Sequence, residues 1–588
     1  MSRAEIVQKI EHGPLLFDGA MGTYYATLSK NPTERCEFAN RTDAETVRQV
    51  HCAYIKAGCT AIKTNTFAVP AIAAECGLIE AERLIQDAWH IAREAVGGRG
   101  ITLFADFGPP TFEGTQSDIY IALADKFLEL GATNFIFETF SDDPVIRTTA
   151  AHIRAVCPDA YLLAAFAVSP DGFTSTGFSG KELVQNMLTD GLVDAAGFNC
   201  VSGPGHLLGL IAGMDTARYA LALLPNAGYP TVVGGRTIYG SSAAYFADRL
   251  QEMAQRGVKL LGGCCGTDPG YIRAAAETLY GTYPTAPIHA MPKMIPAPPK
   301  KPGQNRFRDK LLRGERVVAV ELDSPLDSQI DKYMDGAAVL KAAGADIITI
   351  ADCPVARSRM DSSLVACKLQ RELGMEALPH LTCRDRNLNA TRALLLGLSA
   401  ERVHNVLIVT GDPIPSAERD AVKSVFNFNA RMLARYIRQL NEEIFQTPFF
   451  IGGALNVNAA NFDSQLRIAR EKIENGMDVL FTQPIMTDKA AENLRRAKET
   501  LDAKIMGGIM PVVSYRNAQF IAGEIQGMEI DSETVERFRG QSKTDCTRLG
   551  VELSLEMAAK IAGDVDGYYL ITPFSRTDMT AAILENLL

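Results

Sequence analysis

Short apolar segments alternate with longer amphipathic stretches along the whole chain, and this rhythm constrains the fold more than any single motif. Short apolar runs are typical of buried strands, and the longer stretches have the length and periodicity of helices. Eight strands are predicted in each half of the chain. They span residues 15–18, 61–64, 101–106, 135–138, 162–167, 195–199, 231–234 and 260–262 in the first half, and residues 317–321, 347–350, 378–381, 406–410, 449–453, 479–482, 505–509 and 568–572 in the second.

A proline-rich stretch separates the two halves. Residues 283–303 read YPTAPIHAMPKMIPAPPKKPG, a composition that is typical of a semi-rigid linker. At 588 residues the chain is also longer than one hydrophobic core usually supports. We therefore predict a first domain of residues 1–282, a linker of residues 283–304 and a second domain of residues 305–588.

The predicted fold class is α/β, with two (β/α)₈ TIM barrels joined by the linker. Strands separated by helical connections match such a barrel in number and spacing. The alternative, a doubly wound open sheet, predicts a Gly-x-Gly-x-x-Gly turn after an early strand, and the sequence has none. In a barrel the chemistry gathers at the carboxyl ends of the strands, so the residues that end each predicted strand are the candidates for function.

Composition argues against several classes of partner. The net charge of −10 and the isoelectric point near 5.5 argue against a nucleic-acid-binding surface. No apolar stretch is long enough to span a membrane, and residues 1–10 lack the apolar core of a signal peptide. The 12 cysteines are too dispersed for a disulfide framework and suit a reducing compartment. We therefore predict a cytoplasmic protein that acts on small molecules, without nucleic-acid or membrane partners.

Two adjacent cysteines, Cys264 and Cys265, follow an apolar run and are bracketed by glycines. Neighbouring side chains on a strand point to opposite faces, so both sulfurs can bind one metal ion only if the backbone bends, which glycine permits. Cys200 ends another predicted strand. Three thiolates at strand ends predict a tetrahedral Zn²⁺ site with one open position, as in catalytic zinc sites. The alternatives are buried apolar cysteines, a vicinal disulfide, or a structural zinc closed by a fourth protein ligand.

Other motifs at the predicted strand ends of the first half join the cysteines in one ordered pattern, which resembles the homocysteine S-methyltransferase family over about residues 10–280. The motifs are Asp18-Gly19-Ala20-Met21-Gly22-Thr23, Thr64-Asn65-Thr66-Phe67, Asp106-Phe107-Gly108-Pro109, Glu138-Thr139-Phe140, Asn199-Cys200 and Gly263-Cys264-Cys265-Gly266.

This resemblance implies a zinc barrel that transfers a methyl group to homocysteine. The three cysteines would hold Zn²⁺, which would keep the homocysteine sulfur as a thiolate, the form that attacks a methyl group. Glu138 would bind the amino group of homocysteine, and the turn of residues 18–23 would hold its amino-acid end. Taken alone, Asp18 and Asp106 could instead cap a helix or a turn.

The strand ends of the second half form another ordered pattern, which resembles the methylenetetrahydrofolate reductase family over about residues 305–588. Members of this family use FAD to reduce 5,10-methylenetetrahydrofolate to 5-methyltetrahydrofolate with a nicotinamide donor. The pattern consists of a strand that ends in Glu321, followed by Leu378-Pro379-His380-Leu381-Thr382-Cys383, Val409-Thr410-Gly411-Asp412-Pro413, Phe481-Thr482-Gln483-Pro484 and Gly508-Ile509-Met510-Pro511-Val512-Val513-Ser514-Tyr515.

The second resemblance assigns roles to these strand-end residues. Glu321 would be the general acid that protonates the folate, and a carboxylate that ends an apolar strand is expected to have a raised pKa. Asp412 would lie beside the flavin and the pterin, and Gln483 would bind the pterin. Tyr515 would lie beside the folate or the nicotinamide. Contacts to FAD are implied for Thr349, His380, Thr382, Asp412 and Lys472.

Two positions depart from the pattern of the reductase family, and both concern FAD. Thr410 stands where bacterial members often have arginine, and Asn456-Val457-Asn458 stands where they have a Tyr-Pro-Glu turn. Taken singly, His380 could also be a core histidine, and Asp412-Pro413 fits an ordinary turn. These departures put the family's mode of FAD binding in question for this chain.

Together the two halves predict a bifunctional enzyme of one-carbon metabolism. The second barrel would make a methyl group that the first could use, but with two barrels assigned no cobalamin domain fits into the chain. Either the first barrel uses an activated donor such as S-methylmethionine or S-adenosylmethionine, or it meets a separate corrinoid protein. A rival hypothesis keeps one barrel active and makes the other a binding or scaffold module. We expect a homo-oligomer, and the choice between NADH and NADPH stays open.

Overall fold

The computed structural model of the protein describes residues 1–29, 35–110, 117–233, 236–281, 303–414, 423–524 and 528–587. The chain divides into two compact units, Met1–Met294 and Ile295–Leu588. The predicted linker lies outside the described residues except for its last two positions, so its structure stays a prediction.

The first unit contains a barrel of eight parallel strands and a separate two-stranded hairpin. Its strands are β1 (Leu15–Leu16), β2 (Ala61–Lys63), β3 (Thr102–Phe107), β4 (Asn134–Phe140), β5 (Tyr161–Phe166), β6 (Ala195–Asn199), β7 (Ala220–Leu224), β8 (Pro230–Val233), β9 (Arg236–Tyr239) and β10 (Leu260–Leu261). The parallel strands pair in the order β1-β10-β7-β6-β5-β4-β3-β2, and a bridge between Phe17 and Ala61 joins the two outer strands. The predicted barrel is therefore confirmed for this unit.

Amphipathic helices bury their apolar faces against the outward side chains of this sheet and form one continuous core with them. They are α1 (Arg3–His12), α2 (Met21–Leu28), α3 (Ala39–Thr42), α4 (Ala44–Ala57), α5 (Val69–Cys76), α6 (Leu78–Val96), α7 (Ser117–Glu129), α8 (Pro144–Val156), α9 (Gly180–Thr189), α10 (Pro204–Leu210), α11 (Ala243–Gln255) and α12 (Pro269–Tyr280).

One predicted strand of the first unit is wrong as a barrel strand. The sequence predicts it at residues 231–234, but β8 forms an antiparallel hairpin with β9, and β7 supplies the seventh barrel strand between β6 and β10. Position 234 lies outside the described residues. Alanine is depleted in strands, and β7 reads Ala-Leu-Ala-Leu-Leu, whereas residues 231–233 are β-branched. Pairing with two neighbouring strands outweighs this local preference.

The second unit is a closed barrel of eight parallel strands that pair in sequence order, as predicted. The strands are β11 (Val317–Glu321), β12 (Ile347–Ile350), β13 (Glu376–Thr382), β14 (Asn405–Val409), β15 (Phe450–Leu455), β16 (Val479–Pro484), β17 (Lys504–Ile509) and β18 (Gly567–Ile571). The α-helices are α13 (Arg306–Leu312), α14 (Asp331–Ala342), α15 (Ser362–Lys368), α16 (Leu388–Ala400), α17 (Ala430–Glu443), α18 (Phe462–Glu474), α19 (Asp488–Thr500), α20 (Tyr515–Glu524), α21 (Ser532–Arg537), α22 (Lys543–Ile561) and α23 (Thr577–Leu587).

A short helix closes the amino-terminal end of each barrel. Ile6 and Ile10 of α1 pack into the interior of the first barrel, and Phe307 and Leu311 of α13 pack into the interior of the second. All four side chains are buried, and burial of one such side chain stabilises a fold by about 1.5–3 kcal/mol. The carboxyl ends of the strands, at the opposite end of each barrel, are left for chemistry.

Candidate active sites

The structure brings the three predicted zinc ligands together at the carboxyl end of the first barrel. Cys200 follows β6, and Cys264 and Cys265 follow β10. Their Sγ atoms all lie within 4.8 Å of one another, and those of Cys200 and Cys265 are 3.7 Å apart. Three thiolates around one tetrahedral Zn²⁺, with Zn–S bonds of about 2.3 Å, place their sulfurs about 3.8 Å apart. The donor set and its spacing therefore fit a zinc ion with one position left for a further ligand.

Backbone bends direct the three sulfurs to one point. Cys200 and Val201 both have a φ of 56°, and Gly266, directly after Cys265, has a φ of 79°. Left-handed backbone costs a non-glycine residue about 1–3 kcal/mol and persists where the surrounding structure imposes it. Here the amide of Cys200 donates a hydrogen bond to the carbonyl of Leu224 at 3.1 Å, which fixes the bend to the end of β7.

Hydrogen bonds among the thiols distribute their protons unevenly. Cys265 accepts hydrogen bonds from Cys200 and Cys264, which lower its pKa to about 3. The same contacts, together with burial, raise the pKa of Cys264 well above its ordinary value. The side-chain amide of Asn199 supports this arrangement, with Nδ2 lying 3.9 Å from Sγ of Cys264. These contacts favour the thiolate of Cys265, the form of cysteine that binds a metal ion.

A cavity of about 310 Å³ lies beside the thiol cluster. Gly19 alone among the predicted homocysteine-binding residues is not part of its wall, because it lies behind the wall against Thr267 and Tyr54. The cavity is lined by Asp18, Ala20, Met21, Gly22, Thr23, Cys36, Glu37, Lys63, Thr64, Asn65, Thr66, Phe67, Asp106, Glu138, Thr139 and the three cysteines.

The turn of residues 18–23 is bonded to the loop that carries two of the cysteines. The amide of Gly263 donates to the carbonyl of Asp18 at 3.1 Å, and the amide of Gly266 donates to Oγ1 of Thr23 at 3.2 Å. Asp18 does not cap α2, because the residue at the helix start is Ala20 and it makes no side-chain cap. Of the alternative roles for Asp18, the helix cap is therefore wrong for α2.

Three buried carboxylates and one lysine meet in the cavity wall. Lys63 pairs with Glu138 at 2.7 Å, and the amide of Lys63 donates to Oδ2 of Asp18 at 3.2 Å. Burial raises the pKa of Asp18 to about 7, against the attraction of Lys63. Burial and the neighbouring Glu138 also raise the pKa of Asp106 well above its ordinary value. Such displaced pKa values are typical of functional sites.

Lys63 is a site residue that the sequence analysis misses. It falls inside the predicted strand 61–64, where it is the third residue of an apolar run. The available signal is its charge, because a lysine in a buried strand needs a partner of opposite charge. That partner is 75 positions away in the chain, so no local pattern identifies it.

At the carboxyl end of the second barrel, Glu321 lies in a pair with Tyr569. The hydroxyl of Tyr569 donates a hydrogen bond to Oε2 of Glu321, across the junction of β11 and β18. Burial raises the pKa of Glu321 to about 7, and the hydrogen bond from Tyr569 opposes this rise. The sequence analysis misses Tyr569, which reads as a core residue of an apolar strand. A carboxyl group with a pKa near neutrality can release and regain a proton under physiological conditions.

His380 lies beside this pair, with Nε2 at 3.7 Å from Oε2 of Glu321. Burial lowers the pKa of His380 to about 4, so the ring is neutral. Its Nε2 and the Oγ of Ser324 are buried and have no hydrogen-bond partner among the described residues. Unsatisfied polar atoms at the mouth of a barrel fit a site that is completed by a polar cofactor or substrate.

A network of acidic and basic residues surrounds Thr382 at the same end of the barrel. Oδ2 of Asp352 accepts hydrogen bonds from the amide and hydroxyl of Thr382, each at 3.0 Å, and from Arg386 at 2.6 Å. Arg384 donates to the backbone carbonyl of Asp412 at 2.8 Å, which ties the strand-end loops of β13 and β14 together. The sequence analysis misses Asp352 and the two arginines. Arg384 pairs with Asp385, and Arg386 pairs with Asp352 and Asp361, so the charges are compensated within the network.

The remaining predicted flavin and folate residues differ in their surroundings. Thr349 is fully buried on β12, and Lys472 of α18 donates to the carbonyl of Ala454 at 2.6 Å. Gln483 is half-buried at the end of β16. The hydroxyl of Tyr515 accepts a hydrogen bond from Arg539 at 2.8 Å, and the guanidinium lies 5.4 Å from the centre of its ring.

The two departures from the reductase pattern also lie at strand ends. Thr410 is exposed directly after β14, and Asn458 is buried with its side-chain amide donating to the carbonyl of Pro484 at 3.0 Å. The backbone amide of Asn458 donates to Oδ1 of Asn456 at 3.0 Å. Asn456 and Asn458 therefore form a turn of their own next to β16, with a structural role for each side chain.

Within the described part of the chain, no helix combines the length and apolar character needed to cross a membrane.

Comparison with known protein families gives a match for each unit. The model described as homocysteine S-methyltransferase matches residues 15–279, and the model described as methylenetetrahydrofolate reductase matches residues 306–588.

Two curated relatives are methionine synthases. That of Mycobacterium tuberculosis (strain ATCC 25618 / H37Rv) is 26% identical over 489 residues, which cover 72% of this chain and 40% of the relative. That of Mycobacterium leprae (strain TN) is 26% identical over 321 residues, which cover 48% of this chain and 26% of the relative. The chain thus spans less than half the length of these relatives.

Two similar solved structures are crystal structures of the homocysteine methyltransferase MmuM from Escherichia coli, in its metallated and its oxidized form. The metallated form is 21% identical and covers 45% of this chain and 96% of that chain, with a TM-score of 0.38. The oxidized form is 23% identical and covers 44% of this chain and 94% of that chain, also with a TM-score of 0.38.

Proposed function

Because the chain joins a domain of the homocysteine S-methyltransferase family to a domain of the methylenetetrahydrofolate reductase family, we propose that it is a bifunctional enzyme of one-carbon metabolism. The first domain methylates homocysteine to methionine. The second reduces 5,10-methylenetetrahydrofolate to 5-methyltetrahydrofolate. The observation that carries the proposal is the cluster of three thiols on an acid-lined cavity at the carboxyl end of the first barrel.

In the first domain, Cys200, Cys264 and Cys265 would hold Zn²⁺. The ion supplies a Lewis acid that keeps a substrate thiol deprotonated at neutral pH. The acid cluster of Asp18 and Glu138 would bind the substrate ammonium. The first amides of α2 have no intrahelical partner, so the turn that leads into α2 suits the substrate carboxylate.

In the second domain, Thr349, His380, Thr382, Asp412 and Lys472 would contact FAD. When bound, FAD would supply the hydride-transfer chemistry between a nicotinamide donor and the folate. Arg384 and Arg386, which the sequence analysis missed, lie in the same network as Thr382, and by holding Asp385 and Asp352 they would fix Thr382 in position beside such a cofactor.

The chain's own acid chemistry in this domain belongs to Glu321. Its proton would pass to the folate amine as the five-membered ring opens, and a pKa of about 7 suits that transfer. Tyr569 would hold the carboxyl group in position, and His380 would stay neutral beside it. Gln483 and Asp412 would bind the pterin, and Tyr515 would lie beside the folate or the nicotinamide.

The methyl donor of the first domain is either an activated sulfonium compound or a separate corrinoid protein. 5-Methyltetrahydrofolate carries its methyl group on an unactivated amine and is a poor donor by itself. Methionine formation from S-methylmethionine or S-adenosylmethionine by the purified protein, without corrinoid, supports the sulfonium route. Formation only after addition of a methylated corrinoid protein supports the other.

The reductase is tested by anaerobic mixing of the purified protein with NADH or NADPH and then with methylenetetrahydrofolate. We expect the flavin absorbance to bleach and then to recover on addition of the folate. Glu321→Gln should slow the recovery about 100-fold or more while the bleaching remains, because only the folate step needs the proton. Bleaching without recovery in the unaltered protein would leave the first domain as the sole source of activity. The comparison of the two nicotinamides also identifies the donor.

We also propose that the protein forms a homo-oligomer and that it works in the cytoplasm. Mass measurement of the purified chain by light scattering tests the first statement, and fractionation of the producing cells tests the second.

A further inference from the structure

Glu138 and Thr139 are neighbours near the carboxyl end of β4, and both line the cavity. On a regular strand neighbouring side chains point to opposite faces, so the backbone must depart from strand geometry here. It does so in two ways: the pairing of β4 with β5 is irregular between Phe137 and Phe140, and Thr139 has a φ of 69°. Left-handed backbone is rare for a β-branched residue and persists only where the surrounding structure imposes it.

The side chain of Asn199, on β6, imposes this conformation through two hydrogen bonds to Thr139, which we call the Asn199 clamp. The backbone amide of Thr139 donates to Oδ1 of Asn199 at 2.7 Å, and Nδ2 of Asn199 donates to Oγ1 of Thr139 at 2.8 Å. A backbone amide can only donate, so this pairing also fixes which end of the asparagine side chain is the oxygen. Asn199 is fully buried, and water does not compete for these bonds.

Asn199 is also joined to the thiol cluster. It directly precedes Cys200, whose φ of 56° is left-handed as well. Its Nδ2 carries a second hydrogen and lies 3.9 Å from Sγ of Cys264, a distance at which an N–H group can donate to sulfur. One buried side chain therefore connects the strand end that carries Glu138 with two of the three cysteines.

We propose that Asn199 is a positioning residue of the first domain: by clamping Thr139, it holds Glu138 at a fixed distance from the metal-binding cysteines. This inference rests on the proposed function, in which homocysteine spans the cavity from the metal ion to Glu138. A substrate held at two ends binds well only if both ends keep their spacing, and a misplacement of about 1 Å can cost about 100-fold in rate.

The competing interpretation is that Asn199 only satisfies buried polar groups at the strand ends. Glycine adopts left-handed backbone without help, and it supplies the bend after Cys265, where Gly266 has a φ of 79°. Thr139 in the same conformation depends on a partner. Because that partner is the side chain next to Cys200, the conformation of the strand end that carries Glu138 depends on the thiol cluster, which a purely structural hydrogen bond does not require.

The test measures the binding of two thiols to the full-length, zinc-loaded protein by titration calorimetry, without any methyl transfer. L-Homocysteine can reach both ends of the site, whereas 4-mercaptobutanoate has the same thiol and carboxylate but no amino group for Glu138. We expect Asn199→Ala to retain its zinc, because all three cysteines remain, and to raise the dissociation constant of homocysteine about tenfold or more. The dissociation constant of 4-mercaptobutanoate should change less than about threefold.

Two variants of Thr139 test whether Asn199 acts through it. Thr139→Gly removes the strain that the clamp opposes, so Asn199→Ala in that background should raise the dissociation constant of homocysteine less than about threefold. Thr139→Val keeps the shape of the side chain but loses Oγ1, and it should weaken homocysteine binding about threefold. It takes the place of Asn199→Ala if that variant does not fold.

Asn134→Ala is the matched control for a loss of stability. Asn134 is a buried asparagine at the opposite end of β4, and its Nδ2 donates to the carbonyl of Leu103 at 3.1 Å. Its replacement should lower the melting temperature and leave both dissociation constants unchanged, because Asn134 lies outside the cavity wall.

Other results would overturn the inference. If Asn199→Ala weakens the binding of the two thiols equally, or no more than Asn134→Ala does, Asn199 only stabilises the fold. If its effect is as large in the Thr139→Gly background, Asn199 does not act through Thr139. In both cases the unaltered protein still binds homocysteine, so the proposed function stands. If the unaltered protein binds neither thiol, the proposed function of the first domain is wrong together with this inference.

Discussion

Tyr569 of β18 and Glu321 of β11 lie on the two strands that meet to close the second barrel, two positions apart in register, and the tyrosine hydroxyl donates to the carboxyl group. Burial raises the pKa of Tyr569 well above its ordinary value, so its hydroxyl keeps its proton and stays a donor. A donor stabilises the ionised form of Glu321, and burial disfavours it. The pKa of Glu321, about 7, is the balance of the two.

Tyr569→Phe should shift the pH dependence of folate reduction. Loss of the hydrogen bond removes stabilisation from the carboxylate, so the pKa of Glu321 rises further, by about one unit for a bond of about 1.4 kcal/mol. An acid catalyst works in its protonated form, so the fall in rate on the alkaline side moves to higher pH. The measurement is the pH profile of flavin reoxidation by methylenetetrahydrofolate. Tyr568→Phe is the matched control, because the Tyr568 hydroxyl bonds to the carbonyl of Ala558 and not to Glu321. An unshifted profile in Tyr569→Phe contradicts the proposed role.

Cys265→Ser should remove zinc from the first domain. Serine offers no thiolate, and two remaining cysteines hold the ion far more weakly than three. We expect zinc content after dialysis to fall to below about a tenth of the unaltered value, together with methionine formation. Cys157→Ser is the control, because Cys157 follows α8 and is not part of the thiol cluster. Reduction of folate by the second domain should remain in both variants, and thermal unfolding checks that the first unit, which carries the substitution, is folded. Full zinc content in Cys265→Ser would exclude the proposed ligand set.

Gly19→Ala should disrupt the turn that faces the thiol cluster. A Cβ at Gly19 would lie 2.7 Å from Oγ1 of Thr267 and 2.8 Å from the ring of Tyr54, so the turn must shift. Overpacking of this kind costs about 1–3 kcal/mol, and we expect the apparent KM for homocysteine to rise about tenfold or more. Gly209→Ala is the control, since Gly209 lies in α10 outside the cavity wall and a Cβ there would have nothing within 4 Å. Equal effects of the two substitutions would refute this account of the turn.

His51 should make the first unit sensitive to acid. It is fully buried in α4, neither ring nitrogen has a hydrogen-bond partner among the described residues, and burial lowers its pKa to about 4. The pKa of His51 is about 6.5 in the unfolded chain and about 4 in the folded protein. The free energy of unfolding therefore falls as the pH drops from about 6.5 to about 4, by about 3 kcal/mol in all. His51→Leu removes this titration, so its melting temperature should fall less between pH 7 and pH 4. If the melting temperatures of the two proteins fall by the same amount between pH 7 and pH 4, His51 does not titrate as described.

The sequence predicts the architecture because barrel strands are short, apolar and regularly spaced. It also predicts the thiol cluster, because the cysteines end strands and the glycine at position 266 marks the necessary bend. Lys63 and Tyr569 are different. Each acts through a partner that is far away in the chain, 75 positions for Lys63 and 248 for Tyr569. Each also lies inside an apolar strand, where local pattern alone reads it as part of the core.

The misplaced strand in the first unit has a related cause. Local preference favours the β-branched residues 231–233, but a barrel strand must pair on both sides, and only β7 does so. The hairpin that takes those residues instead ends in Tyr239, whose ring packs against Gly266 beside the cysteines. The predicted strand and the observed hairpin share an extended backbone, and only the pairing partner distinguishes them.

Because helices close the amino-terminal ends, each barrel is open to substrates only at the carboxyl ends of its strands. Whatever enters past the carboxyl ends of the strands must leave the same way, because α1 and α13 fill the other end with apolar side chains. In the second barrel, the nicotinamide and the folate would therefore reach a bound flavin from the same side and bind there one after the other. Steady-state rates measured against both substrates should then give parallel reciprocal plots. A methylated folate made in this barrel would leave by the carboxyl ends of the strands as well.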